Sequence, residues 1–81
     1  MYNIDVVRKA VYEGIKRVKK IEDEITIGDD ETFADYGLDS LDRMSLFLEI
    51  ETPLGIQVDS INFENLNTIR LICDFVNEKH D

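Results

Sequence analysis

With 81 residues, 43% of them hydrophobic, the chain has material for one small domain, residues 1–81, around a single core of modest size. Eighteen acidic residues against nine basic ones leave a net charge of −9, which disfavours nucleic acid and anionic membrane surfaces and favours partners with basic patches. A single cysteine excludes an internal disulfide, one cysteine and one histidine make no metal cluster, and every apolar run is too short to span a membrane. The N-terminus also lacks the apolar core of a signal peptide, so a cytoplasmic protein is expected.

The first predicted element runs from about Asn3 to Lys20. Ile4, Val7, Val11, Ile15 and Val18 recur at spacings of three and four, which gives an amphipathic helix. Asn3 suits its cap, Asp5 its N-terminal end, and Lys16, Arg17, Lys19 and Lys20 its C-terminal end. These basic residues, with Arg8 and Lys9, read as a solvated face. From about Ile21 to Leu38 the helical period disappears and a long loop follows, with Ile25, Ile27, Phe33 and Leu38 as its apolar pins. Starting from Asp29, Asp30 or Asp35 the oxygen-ligand register of a calcium loop fails, and the acidic loop residues read as solvated charge.

A second main helix is predicted from Ser40 to about Glu51, with Pro53 stopping it and Gly55 breaking the chain beyond. Its apolar residues fall on two faces. Leu46, Phe47, Ile50 and Leu54 cluster on one, and Leu41, Met44 and Leu48 on the other. Taken by itself, the second stripe reads as a wider buried face rather than an exposed patch. Asp59 or Ser60 then caps a short helical turn carrying Ile61, Phe63 and Leu66. Asn67 or Thr68 caps a last helix through Ile69, Ile72, Cys73 and Val76, with Lys79 and His80 at its end. Cys73 lies on the apolar face and reads as a small buried hydrophobe. The predicted fold is all-α, a small four-helix bundle of three main helices and one short one, with the long loop between the first two.

One stretch carries chemistry: Gly37-Leu38-Asp39-Ser40-Leu41-Asp42. Gly37 permits a turn, Asp39 is a good cap, and Ser40 falls at the first turn of the helix, beside free N–H groups and the positive end of the dipole. A phosphate on that hydroxyl meets a favourable field, so Ser40 reads as a covalent attachment point. Catalytic readings fail. The only histidine, His80, lies one residue from an end expected to fray, and no Gly-x-Ser-x-Gly elbow surrounds Ser40. The chain is not expected to be an enzyme.

Phe33-Ala34-Asp35-Tyr36-Gly37-Leu38-Asp39-Ser40-Leu41-Asp42, followed by an amphipathic helix, resembles the modification site of acyl carrier proteins. The similarity covers nearly the whole chain in element order, length and acidic balance. The resemblance implies that a phosphopantetheinyl transferase, using coenzyme A and magnesium, joins 4′-phosphopantetheine to the Ser40 hydroxyl through a phosphodiester. The thiol of that arm then holds acyl intermediates as thioesters for fatty acid, polyketide or related biosynthesis. It implies that Asp39, Leu41, Asp42, Met44, Leu48, Glu49 and Glu51 meet partners, namely the transferase and acyl-loading, elongating or acyltransferase enzymes with basic patches. The carrier itself is expected to be a monomer that neither binds nucleic acid nor inserts into membranes.

It further implies that Leu46, Phe47, Ile50 and Leu54, with Phe33, Phe63, Ile69 and Ile72, line an interior able to admit an acyl chain. The sequence departs from the common pattern at Ser45 and Thr52, where glutamates are usual, and at Arg43, which adds a positive charge near the site. These changes point to a specialised member. Gly37-Leu38-Asp39 favours an acyl cargo over the aminoacyl or peptidyl cargo of related carriers. The rival reading from composition alone is an acidic helical interaction module without a prosthetic group, in which Ser40 serves only local capping.

Overall fold

In the computed structural model, which describes residues 2–80 apart from the side chains of Ser60 and Ile61, the described residues form helices and no strand. In chain order these are α1 (Ile4–Lys19), α2 (Phe33–Tyr36), α3 (Ser40–Leu54), α4 (Ser60–Phe63) and α5 (Ile69–Lys79). The all-α expectation holds, with one turn more than the sequence predicted. That turn, α2, lies inside the long loop: the Thr32 hydroxyl accepts the Asp35 N–H, and Gly37 ends the turn at φ 108°. Four residues are too few to show a hydrophobic period.

α1 begins where Asn3 Oδ1 accepts the Val6 N–H at 3.0 Å, and it buries Val7, Val11, Gly14 and Ile15. Ile4 and Val18, at the ends of its stripe, are only half-buried. α3 lies against α1, and α5 against α1 on another side. The α1–α3 contact is close. A Cβ placed on Gly14 would stand 2.8 Å from Leu46 Cδ1, so the missing side chain lets the two backbones approach. Leu46, Ile50 and Leu54 of α3 and Ile69, Ile72 and Val76 of α5, all fully buried, complete the core.

The loop from 21 to 32 is held by polar groups as well as by its apolar pins. Ile25, Ile27, Phe33 and Leu38 are buried as expected. The Tyr12 hydroxyl also donates to the Ile27 carbonyl at 2.7 Å and accepts the Ile27 N–H at 3.0 Å. Asp29 and Asp30 are not merely solvated charge. Arg8 forks onto Asp29, with Nε 2.8 Å from Oδ1 and Nη2 2.7 Å from Oδ2, and Arg70 Nε lies 2.7 Å from Asp30 Oδ1. The paired geometry matches a guanidinium to a carboxylate, which straps the loop to α1 and α5. Arg8 therefore leaves the solvated face assigned to it.

Pro53 does not stop α3. It removes one backbone donor within the last turn while its own φ remains helical, so the helix continues to Leu54. Gly55, at φ 62°, ends it by turning its N–H to the Glu51 and Thr52 carbonyls. His80 is held rather than frayed: Nε2 lies 2.9 Å from the Leu54 carbonyl oxygen, and the ring meets Tyr2 edge-on. Asp59 caps α4 and Thr68 caps α5. The predicted placing of the Ile61 side chain lies outside the described residues, while Phe63 packs edge-on against Phe47 at 5.4 Å. No helix among the described residues is long and apolar enough to cross a membrane.

Candidate functional site

The head of α3 is fixed by its neighbours before any ligand is considered. Buried Leu38 anchors the three-residue link from α2, its N–H bonded to the Phe33 carbonyl at 2.9 Å. Asp39 follows as the cap: its Oδ1 accepts the Asp42 N–H at 2.8 Å, and Asp42 Oδ2 accepts the Asp39 N–H at 3.3 Å. Each carboxylate thus satisfies a donor that the helical ladder leaves open. Ser40 is the first residue of α3 and is exposed. The approach is open too, since a Cβ at Gly37 would meet nothing within 4 Å.

Lys19, in the last turn of α1, adds a third element to this corner. Its ammonium lies 2.8 Å from Asp42 Oδ2. That hydrogen bond is the main cause of a lowered Asp42 carboxyl pKa, and it raises the Lys19 pKa in turn. Nothing in the sequence pairs two residues so far apart along the chain, and only the packing of α1 on α3 brings them together.

Of the apolar residues on α3, Leu46, Phe47, Ile50 and Leu54 are buried as predicted. Leu41, Met44 and Leu48 are 72%, 51% and 67% exposed, which overturns the wider buried face read from periodicity alone. α3 packs through one side, and positions i, i+3 and i+7 from Leu41 lie on the other. The exposed stripe is the one that the family resemblance assigns to partner contact.

The carboxylates of the predicted recognition set differ in availability. Asp39 is exposed, whereas Asp42 is half-buried and held by Lys19. Arg17 Nη1 reaches Glu49 Oε2 at 3.5 Å, and Glu51 Oε2 accepts the Val58 N–H at 3.0 Å. Arg43 is not a free surface charge either. Its guanidinium carbon sits 4.8 Å from the Phe63 ring centroid, and Nη1 donates to Asn67 Oδ1 at 2.7 Å.

His80 is bound at the Leu54 carbonyl, and the rise from Ser40 to Leu54 is about 20 Å along α3. Cys73 is buried, and desolvation pushes its thiol pKa up, which suppresses the reactive thiolate. No group of three potential metal-ligating side chains occurs among the described residues.

Ser40 is thus an exposed residue at the start of a capped helix. Residues 9–76 match the family model described as the phosphopantetheine attachment site. The chain is 32% identical over 77 residues to the acyl carrier protein of Chloroherpeton thalassium, covering 94% of this chain and 95% of that one. It is 28% identical over 81 residues to the acyl carrier protein of Buchnera aphidicola from Acyrthosiphon pisum (strain Tuc7), covering 99% and 96%. No solved structure matches the chain. The chain belongs to the acyl carrier protein family, whose prosthetic group is covalently attached 4′-phosphopantetheine.

Proposed function

We propose that Ser40 is the attachment residue and that the protein carries acyl intermediates, without catalysing reactions itself, for fatty acid, polyketide or related biosynthesis. The observation that carries this reading is the exposed Ser40 at the start of a 15-residue helix, with open space at Gly37. The bound group supplies a terminal thiol that holds the cargo as a thioester. This chain's part is narrower: Ser40 Oγ makes the bond to phosphorus as the adenosine bisphosphate of coenzyme A leaves, and its proton passes to a base on the transferase. The capped head of α3 holds the hydroxyl outward, and the helix dipole favours the negative phosphodiester that results.

In this reading Leu41, Met44 and Leu48 are the apolar contact surface for the transferase and for acyl-handling enzymes. Asp39, Asp42, Glu49 and Glu51 set the charge around that surface, moderated by Lys19 and Arg17. The protein acts as a cytoplasmic monomer of one domain. The test is intact mass after incubation with coenzyme A, magnesium and a broad-range phosphopantetheinyl transferase. One phosphopantetheine per chain is expected, and none on Ser40→Ala. No gain on the wild type, or an equal gain on the variant, rejects the assignment.

A further inference from the structure

One carboxylate oxygen beside Ser40 already has two donors. Asp42 Oδ2 accepts from the Lys19 ammonium at 2.8 Å and from the Asp39 N–H at 3.3 Å. The Lys19 side chain is 36% exposed and that of Asp42 21%, so the cation is the more open member of the pair. Lys19 is also held in place from its own helix. It is the last residue of α1, and the chain turns away directly after it: Lys20 has φ 56°, its N–H bonds the Lys16 carbonyl, and the Ile21 N–H bonds the same oxygen at 3.0 Å. The head of α3 keeps a bond independent of this contact, since Asp39 Oδ1 accepts the Asp42 N–H at 2.8 Å.

The ammonium acts on both carboxylates that flank Ser40. The Lys19 pKa is raised first by its hydrogen bond to Asp42 and further by the charge of Asp39. Along the same helix Arg17 Nη1 stands 3.5 Å from Glu49 Oε2, and Glu51 Oε2 is occupied by the Val58 N–H. The acidic side of α3 is thus partly compensated by this chain before any partner arrives. A basic side chain approaching Asp42 has to displace the ammonium or stand beside a like charge, and both weaken the encounter.

On the reading that the arm attaches at Ser40, we propose that Lys19 is a specificity-determining residue for that modification. Its ammonium occupies the Asp42 carboxylate in place of a cation on the transferase, so the chain is recognised through exposed Asp39 and the apolar Leu41 rather than through the charge of Asp42. The fitting partner carries an apolar socket for Leu41 and basic character directed at Asp39 alone. A transferase that depends on a second cation at Asp42 is disfavoured, and the penalty is electrostatic, so salt screens it.

The test follows phosphopantetheine transfer from coenzyme A by a broad-range transferase with magnesium, read by intact mass, with kcat and KM for the full-length carrier. Lys19→Met is expected to raise kcat/KM about threefold through a lower KM, with kcat held within about twofold. Lys19→Gln serves in the same way if Lys19→Met does not fold. The gain shrinks between about 0.05 M and about 0.5 M salt. It is absent in Lys19→Arg, which keeps the cation, and it is lost when Asp42→Asn is added to Lys19→Met, since the amide still offers an oxygen to the Asp39 N–H but carries no charge. Lys9→Met makes the same change in net charge at an exposed position about 15 Å away along α1, and is expected to show no gain. The proposal is overturned by a Lys19→Met carrier that is no faster than wild type, by an equal gain in Lys9→Met, or by a gain that survives Asp42→Asn. A fall in kcat in Lys19→Met assigns Lys19 to holding the helix head and overturns it also. Absence of any mass gain on the wild type rejects the Ser40 assignment instead, and the mass measurement separates the two.

Discussion

Lys19 Nζ lies 2.8 Å from Asp42 Oδ2, so the last turn of α1 grips the carboxylate that reaches back to the Asp39 N–H at the head of α3. The residue proposed to be modified, Ser40, sits between the two members of that capping box. Its orientation depends on a contact between helices as well as on local capping. The same ammonium offsets the charge of Asp42, leaving exposed Asp39 as the more accessible carboxylate beside Ser40.

This pair gives stability a definite pH dependence. Bonding to Lys19 lowers the Asp42 pKa, so its contribution is complete above the ordinary aspartate value of about 3.9 and is lost as pH falls through the lower native value. The Lys19 pKa is raised, so its contribution is complete below the ordinary value of about 10.4 and is lost as pH rises through the higher native value. Lys19→Met is therefore expected to be less stable than wild type at pH 7 and to lose less between pH 5 and pH 2. Urea unfolding across that range measures both. Parallel profiles for the two proteins would show that the pair does not contribute.

Tyr12→Phe removes one oxygen that serves both backbone groups of Ile27, at 2.7 and 3.0 Å. Leaving a part-buried N–H and C=O short of partners is expected to cost about 1–3 kcal/mol in urea unfolding. Amide exchange at Ile27 should quicken more than exchange in the middle of α3. An unchanged Ile27 amide would mean that the apolar pins hold the loop without the hydroxyl.

Leu41→Glu and Leu48→Glu change residues that are 72% and 67% exposed. Their stability is expected to stay within about 0.5 kcal/mol of wild type. If the stripe is the contact surface, transferase kcat/KM with coenzyme A falls about tenfold for Leu41→Glu, next to Ser40, corresponding to about 1.4 kcal/mol of lost apolar contact. Wild-type rates in both variants would remove the stripe from transferase recognition.

Much of the fold was legible because its signals are local. Asn3, Asp39, Asp59 and Thr68 each cap the helix that follows, and each bonds an N–H three residues ahead, inside a single turn of sequence. The buried faces of α1 and α5 followed from their period for the same reason. Leu41, Met44 and Leu48 show where that reasoning stops: periodicity states that two residues share a face, and it does not state which faces have neighbours. Pro53 was misread because a proline in the last turn breaks too little of the ladder to end a helix, and the glycine two residues later does so.

The sequence by itself determined four of the five helices, the position of Ser40 at the head of one of them, and the absence of any histidine beside it in the chain. These follow from capping, spacing and composition, which act over a few residues. Only the tertiary structure decided that α1 approaches α3 across Gly14, that Lys19 holds Asp42, that Arg8 and Arg70 strap the acidic loop, and that Arg43 turns inward onto Phe63. Those contacts join residues far apart in the chain, and their geometry is set by how the helices settle on one another around a shared core.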